Sequence, residues 1–215
     1  MEPKIEGITV VLLGAFNPSI FQPLWFGSEG ILPKDSAENA NVNVISNELT
    51  QWSVNWLQVQ VLANKAQFTC AVPPRYEYFF DMISNVFKEL RHSKVERFGL
   101  NYTAHYALAN EDIWHKAGHA LVPKNAWENV LDAPGLRQVS IAGKRNDDFT
   151  GSITITAEPS AQLRPGLFIR YNDDILVESK SAAQAVERIS MRHRAFMDDA
   201  KIAFNKLLLN IGIED

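Results

Sequence analysis

Residues 50–72, TQWSVNWLQVQVLANKAQFTCAV, decide the fold. Apolar and polar residues alternate through most of the stretch, which is the period of a half-buried strand and not of a helix. Trp52, Val54 and Trp56 share one phase; Leu57, Val59 and Val61 share the other. The phase flips at Trp56–Leu57, as a β-bulge or a change of buried face within 50–62 would require. Asn64-Lys65 reads as a turn, and QFTCAV (67–72) as a strand returning against 50–62. Pro73-Pro74 then ends the strand and opens a helix, with Pro74 placed where a missing N–H costs nothing. Tyr76, Phe79, Phe80, Ile83, Phe87 and Leu90 recur at spacings of three and four, so the helix has one buried stripe. A hairpin running into an amphipathic helix lays that helix on one face of an antiparallel sheet.

The same grammar extends outward in both directions. Residues 8–15 are nearly all apolar and predict a strand buried on both faces; VNVIS (42–46) is a short second strand. VERFGLNYTAHYAL (95–108) is the next, with Phe98, Leu100, Tyr102, Ala104 and Tyr106 on one face. Asn110 caps a helix whose first turn holds Asp112. Pro123 stops it, and KNAWENVL (124–131) adds a further helical turn or two. Residues 137–145 and 149–160 read as strands around an Asn146-Asp147-Asp148 turn. LFIRYNDDILVES (167–179) reads either as two short strands around Asn172-Asp173-Asp174 or as one strand followed by an irregular run. In both acidic pairs, Asp147-Asp148 and Asp173-Asp174, a divalent-ion site competes with the ordinary turn preference of Asp, and the turn is favoured. Last comes a helix from about Ser181 to Asn210, with Val186, Ile189, His193, Phe196, Ala200, Ala203, Phe204 and Leu207 on one face and Gly212 as its terminator. The expected architecture is α+β: a largely antiparallel sheet, helices packed on one face, and a single domain over 1–215. Its halves, 1–92 and 93–215, echo one another as meander followed by helix.

Within VERFGLNYTAHY, the residues Val95, Arg97, Phe98, Gly99, Leu100 and Tyr102 fit the form V-x-R-[IVF]-G-L-x-Y. Phe196, Phe204, Leu207 and Leu208 fit a long terminal helix with a leucine-rich finish. In these features, which span about half of it, the chain resembles a sporadically distributed bacterial family of unknown function. Met197 stands where that family often has histidine, and the segment 16–26 is not part of its pattern. The resemblance implies an α+β fold and a bacterial cytosolic origin. Its patchy distribution suits a mobile or defence-associated gene, and it implies no reaction.

Composition narrows the chemistry. The 215 residues are 46% apolar and carry a net charge of −4, enough for a core and without the basic excess of a general nucleic-acid binder. The one cysteine, Cys70, excludes an intramolecular disulfide and a multi-cysteine zinc site. It suits a reducing compartment and reads as an inert buried thiol. No apolar run reaches the roughly 18 residues of a membrane span, and MEPKIEGITVVLLGAF lacks a secretory layout, so a cytoplasmic protein is expected. No nucleophile elbow or phosphate loop is present, and no cofactor is implied.

Two constellations remain. Asp112, His115 and His119 recur at i, i+3 and i+7, so they share a helix side that could ligate a metal, with His105 as a fourth group. No glutamate sits between the histidines as general base, and a polar helix face accounts for the same pattern. His193, on an apolar stripe, reads as a packed histidine with one nitrogen bonded to a backbone or carboxylate oxygen. The second constellation is FNPSIFQPLWF (16–26), aromatic, uncharged and stiffened by two prolines. Either Phe16, Phe21, Leu24 and Trp25 plug the end of the core, or Phe16, Asn17, Phe21, Gln22 and Trp25 bind a partner. The leading expectation is a non-enzymatic protein-interaction module, a subunit of a larger assembly or a homo-oligomer. The alternative is a small-ligand receptor or enzyme with a pocket beside 16–26 that uses His105, His115 or His119.

Overall fold

The phase flip at Trp56–Leu57 is a reversal of the chain. In the computed structural model, which describes residues 1–213, the first half opens with strand β1 (Ile5–Ala15). Two short helices follow, α1 (Pro23–Ser28) and α2 (Lys34–Glu38). A four-strand meander comes next, β2 (Asn41–Ile45), β3 (Leu49–Val54), β4 (Leu57–Leu62) and β5 (Lys65–Cys70), and then α3 (Tyr76–Glu89). The stretch 50–62 is therefore two strands, not one bulged strand. Trp52 lies opposite Val59 and Thr50 opposite Val61. A two-residue loop pairs residues of opposite parity, so Trp52, Leu57, Val59 and Val61 share one buried face despite the flip. The following turn is at Ala63–Asn64, one residue earlier than expected.

The second half repeats the path. β6 (Lys94–Ala107) leads through α4 (Glu111–Leu121) to a three-strand meander, β7 (Val139–Lys144), β8 (Gly151–Pro159) and β9 (Gly166–Leu176), and then to α5 (Ala182–Asn210). In each half the last meander strand returns to pair with the opening strand, β5 with β1 and β9 with β6. β1 and β6 pair with each other, Val10 opposite Leu100. The result is one nine-stranded antiparallel sheet in the order β2-β3-β4-β5-β1-β6-β9-β8-β7. The architecture is α+β.

α3 and α5 pack together on one face of the sheet. Ile8, Val10 and Leu12 of β1, Phe98, Leu100 and Tyr102 of β6, and Ile169 and Tyr171 of β9 point toward them and are buried. Each such aromatic contributes roughly 1.5–3 kcal/mol through burial. Tyr102 stacks on Phe204 of α5, and Tyr171 tilts against Phe196. The opposite face is open and polar. β1 is accordingly buried on one face only, with Thr9 and Val11 half-buried and Leu13 exposed on the other. Its apolar run reflects a central position in the sheet, not cover on both sides.

The terminal helix is capped as its sequence indicates. The Ser181 hydroxyl accepts from the Gln184 N–H, and Gly212 adopts φ +75, the left-handed region that favours glycine at a helix end. Of two further expectations, one holds in its shorter form and one fails. Residues 124–131 form only one 3-10 turn, Asn125–Trp127. Residues 167–176 are one unbroken strand, so Asp173 and Asp174 lie in mid-strand and not in a turn. Strand alternation puts Asp173 on the helix face, fully buried, and Asp174 on the open face.

Candidate functional site

The aromatic segment 16–26 follows β1 and closes the end of the first half's core. Asn17 Oδ1 accepts from the backbone N–H and hydroxyl of Ser19 at 3.3 and 2.8 Å, starting a 3-10 turn at Pro18–Ile20. Pro23 then occupies the first turn of α1. Phe21, 1% exposed, meets Phe16, Phe68 and Phe87 at centroid distances of 6.2, 6.4 and 6.2 Å. Its carbonyl accepts from the Trp52 indole at 2.6 Å. Phe26 packs edge-on against Trp52 at 5.0 Å. Phe26 fills the place expected of Leu24, which is 61% exposed.

These positions bear on the expected partner-binding set, Phe16, Asn17, Phe21, Gln22 and Trp25. Phe16 and Phe21 are enclosed and present no ring to a partner, and Asn17 spends its side-chain oxygen on its own turn. Gln22 and Trp25 are half-buried. The hollow beside the segment, about 370 Å³, is bounded by Leu24, Lys34 and Glu38 among others, and none of His105, His115 and His119 reaches it.

His105 is also separated from His115 and His119. His105 shares the open face with Phe168, directly opposite it at 4.8 Å between rings, and its Nδ1 bonds the Ser160 hydroxyl at 2.8 Å. Burial holds its pKa below the usual histidine value, against a smaller pull from Glu158. His115 and His119 stand on α4 with Leu167, a residue of the other face. Among the described residues, no group of three or more His, Cys, Asp or Glu side chains is placed to hold a metal ion, so Asp112, His115 and His119 do not converge on one. His193 is half-buried; its Nδ1 lies 3.0 Å from the Ser190 carbonyl and its Nε2 3.4 Å from the Glu77 carboxylate. Cys70 is buried, with its thiol pushed up by desolvation.

What α4 does shape is a cleft of about 460 Å³ between its own side and the ends of β8 and β9. Trp114, Leu136, Pro159 and Leu167 form apolar walls, and His115, His119, Lys124 and Glu128 supply its titratable groups. The Asn110 side chain caps α4 by accepting from the Ile113 N–H at 2.9 Å, which fixes the helix rotation that aims Trp114 and both histidines. Lys124 closes the other end, donating from Nζ to the carbonyls of Val122 at 2.8 Å and Gly118 at 3.3 Å.

A second polar centre is buried and structural. Asp173 accepts from Arg192 of α5 at 2.7 Å and from Arg145. Arg145 also bonds Asp147, and Arg192 bonds Asp199 at 2.7 Å. The Phe149 ring lies under both Arg145 and Arg188. Desolvation works against the Arg145 charge, but its bonds to Asp147 and Asp173 outweigh it and raise its pKa. The cluster ties the β7–β8 loop to β9 and α5. Its sequence signal is parity: Asp173 continues the inward set Leu167, Ile169, Tyr171, and Arg192 falls on the helix stripe between Ile189 and Phe196. A carboxylate and a guanidinium that both land on core faces predict one another.

No protein-family model matches this chain, and no curated protein matches it closely enough to count as a relative. No helix among the described residues is long and apolar enough to cross a membrane.

Proposed function

We propose that this chain is a non-enzymatic protein-interaction module, a subunit of a bacterial assembly or a homo-oligomer, and that β7 is the edge through which it associates. The bacterial and defence-associated setting rests on the sequence resemblance alone. The observation that carries the docking edge is the contrast between the two ends of the sheet. β2 ends one side with a register shift between Val42 and Val44, an irregularity that discourages strand addition. β7 ends the other side in regular register over all six residues. Five of these six are exposed, and Ile141 is 66% exposed. Trp127, Val130 and Leu131, on the connection leading to β7, are exposed as well.

An edge strand offers a row of unpaired N–H and C=O groups, and exposed apolar side chains beside it gain from being covered. Another copy of the chain supplies a matching strand. Antiparallel β7–β7 pairing about Ile141 keeps both helix layers on the same side and sets Ile141 against its counterpart across a two-fold axis. Sedimentation velocity tests this. The wild-type chain is expected to be a dimer and Ile141→Lys a monomer with an unchanged circular dichroism spectrum. A wild type that stays monomeric at millimolar concentration, or a dimer that Ile141→Lys leaves intact, overturns the reading.

A further inference from the structure

We infer that the cleft between α4 and the ends of β8 and β9 binds a small aromatic monocarboxylic acid. Its volume, about 460 Å³, is that of a site for a compact organic molecule and is too small for a folded partner. Trp114, Leu136, Pro159 and Leu167 give it apolar walls, and the half-buried Trp114 indole offers a flat face to a planar ring.

Its imidazoles are exposed and its ammonium is half-buried. Among the described residues, neither His115 nor His119 has a hydrogen-bond partner; the ring of His115 lies against that of Trp114, at 5.2 Å between centroids. Lys124 uses two of its three N–H bonds on the carbonyls of Gly118 and Val122, so its ammonium is fixed in place with one donor left over. An ammonium and two imidazoles thus line a cleft whose one carboxylate is Glu128. The donors outnumber that one carboxylate, which suits an anionic head, and a carboxylate can accept from more than one of them.

Gly118 is a second, independent indication. It sits inside α4, where glycine weakens a helix relative to alanine. Packing does not demand it, since a Cβ there would meet only Leu136 Cβ, at an ordinary 3.9 Å. Its missing side chain leaves room in the cleft.

The test is calorimetric titration of the full chain with three probes that share one ring system: 2-naphthoate, 2-naphthamide and 2-naphthylmethylammonium. One-to-one saturable binding of naphthoate is expected, about tenfold or more tighter than the amide, with the ammonium weakest. Gly118→Leu should fill the cleft and abolish binding while keeping the helix. Lys124→Met should lose about tenfold. Glu128→Gln should bind as well as wild type or better, a sign that a purely structural role would not produce. Absence of saturable naphthoate binding, equal affinity for acid and amide, unchanged binding by Gly118→Leu, or loss in Glu128→Gln would each overturn the inference. None of these variants alters β7, so the association state is read separately.

Discussion

Phe68 and Asp173 occupy equivalent places in the two halves of the sheet. The opening strands meet with Val10 opposite Leu100; beside Val10 stands Phe68 of β5, and beside Leu100 stands Asp173 of β9. Phe68 meets Phe21 and Phe87 in a cluster of rings. Asp173 meets Arg145 and Arg192 in a cluster of charges. The connections after β1 and β6 diverge in the same sense. Residues 16–26 fold back as an aromatic plug, whereas the stretch around α4 leaves a cleft with unspent imidazoles. Strand pattern sets the path that both halves share. The residues between the strands decide how each half is filled, and the imidazole-lined cleft and the sheet edge of regular register lie in the second.

The two fillings should fail differently. Asp173→Ala leaves two buried guanidinium groups without their shared carboxylate and should cost about 3–5 kcal/mol in urea unfolding. Replacing the set together, Asp173→Leu with Arg145→Met and Arg192→Leu, should recover most of that loss or exceed wild-type stability, because a buried ion cluster does not outperform apolar packing of similar volume. Phe21→Ala should also cost about 3–5 kcal/mol, through a cavity. Truncating Phe68 or Phe87 as well would only enlarge that cavity. A triple variant as unstable as Asp173→Ala alone would erase the distinction.

Acid should separate the charged half further. Hydrogen bonds from Arg145, opposed by desolvation and helped by the Phe149 N–H, hold the Asp147 carboxyl below the usual aspartate range. A depressed folded-state pKa adds stability above the unfolded value, roughly 3.9, and that stability is lost as pH falls through the folded value. Asp174 is shifted the other way, raised by desolvation more than Arg97 lowers it, so its contribution grows more favourable as pH falls. Asp147→Asn should cost about 1.5–3 kcal/mol at neutral pH and flatten the loss of stability below about pH 4. Asp174→Asn should steepen it. Denaturant midpoints from pH 2 to 7 read both, and an acid limb unchanged by Asp147→Asn would show that the cluster does not control it.

Much of this arrangement is written in local periodicity. The α3 stripe, the β6 face and the α5 stripe each follow from one element's own spacing, and each is in place. Three features depended on pairing between distant segments. The reversal at Asn55–Trp56 carries no glycine or Asn-Gly signal, so its parity flip alone could not be told from a bulge. Asp173-Asp174 looked like a turn because the Arg145 and Arg192 that neutralise Asp173 lie 28 and 19 residues away. The cleft needs Leu136, Pro159 and Leu167 brought to α4 by the second meander, so the spacing of His115 and His119 suggested a metal where the fold makes a wall. The fate of 16–26 was open because an aromatic, proline-stiffened segment suits either a plug or an interface. Phe68, Phe87 and Trp52, from three other elements, make it a plug.

The smallest difference between the halves is carried by two helix glycines. Gly27 of α1 is held by packing: a Cβ would come within 2.9 Å of Ala37 Cβ on α2, and neither group can swing aside. Gly27→Ala should therefore cost about 1–3 kcal/mol by overpacking the plug. Gly118 of α4 has no such neighbour, only Leu136 Cβ at 3.9 Å. Gly118→Ala should stabilise the chain by about 0.5–1 kcal/mol, since alanine loses less backbone entropy in a helix, and the melting temperature should rise by about 1–4 °C. Opposite signs from the same substitution would confirm that the first connection is packed to contact while the second keeps space in reserve. A loss of stability in Gly118→Ala would mean that Leu136 already fills the cleft against α4, leaving no room there for a ligand.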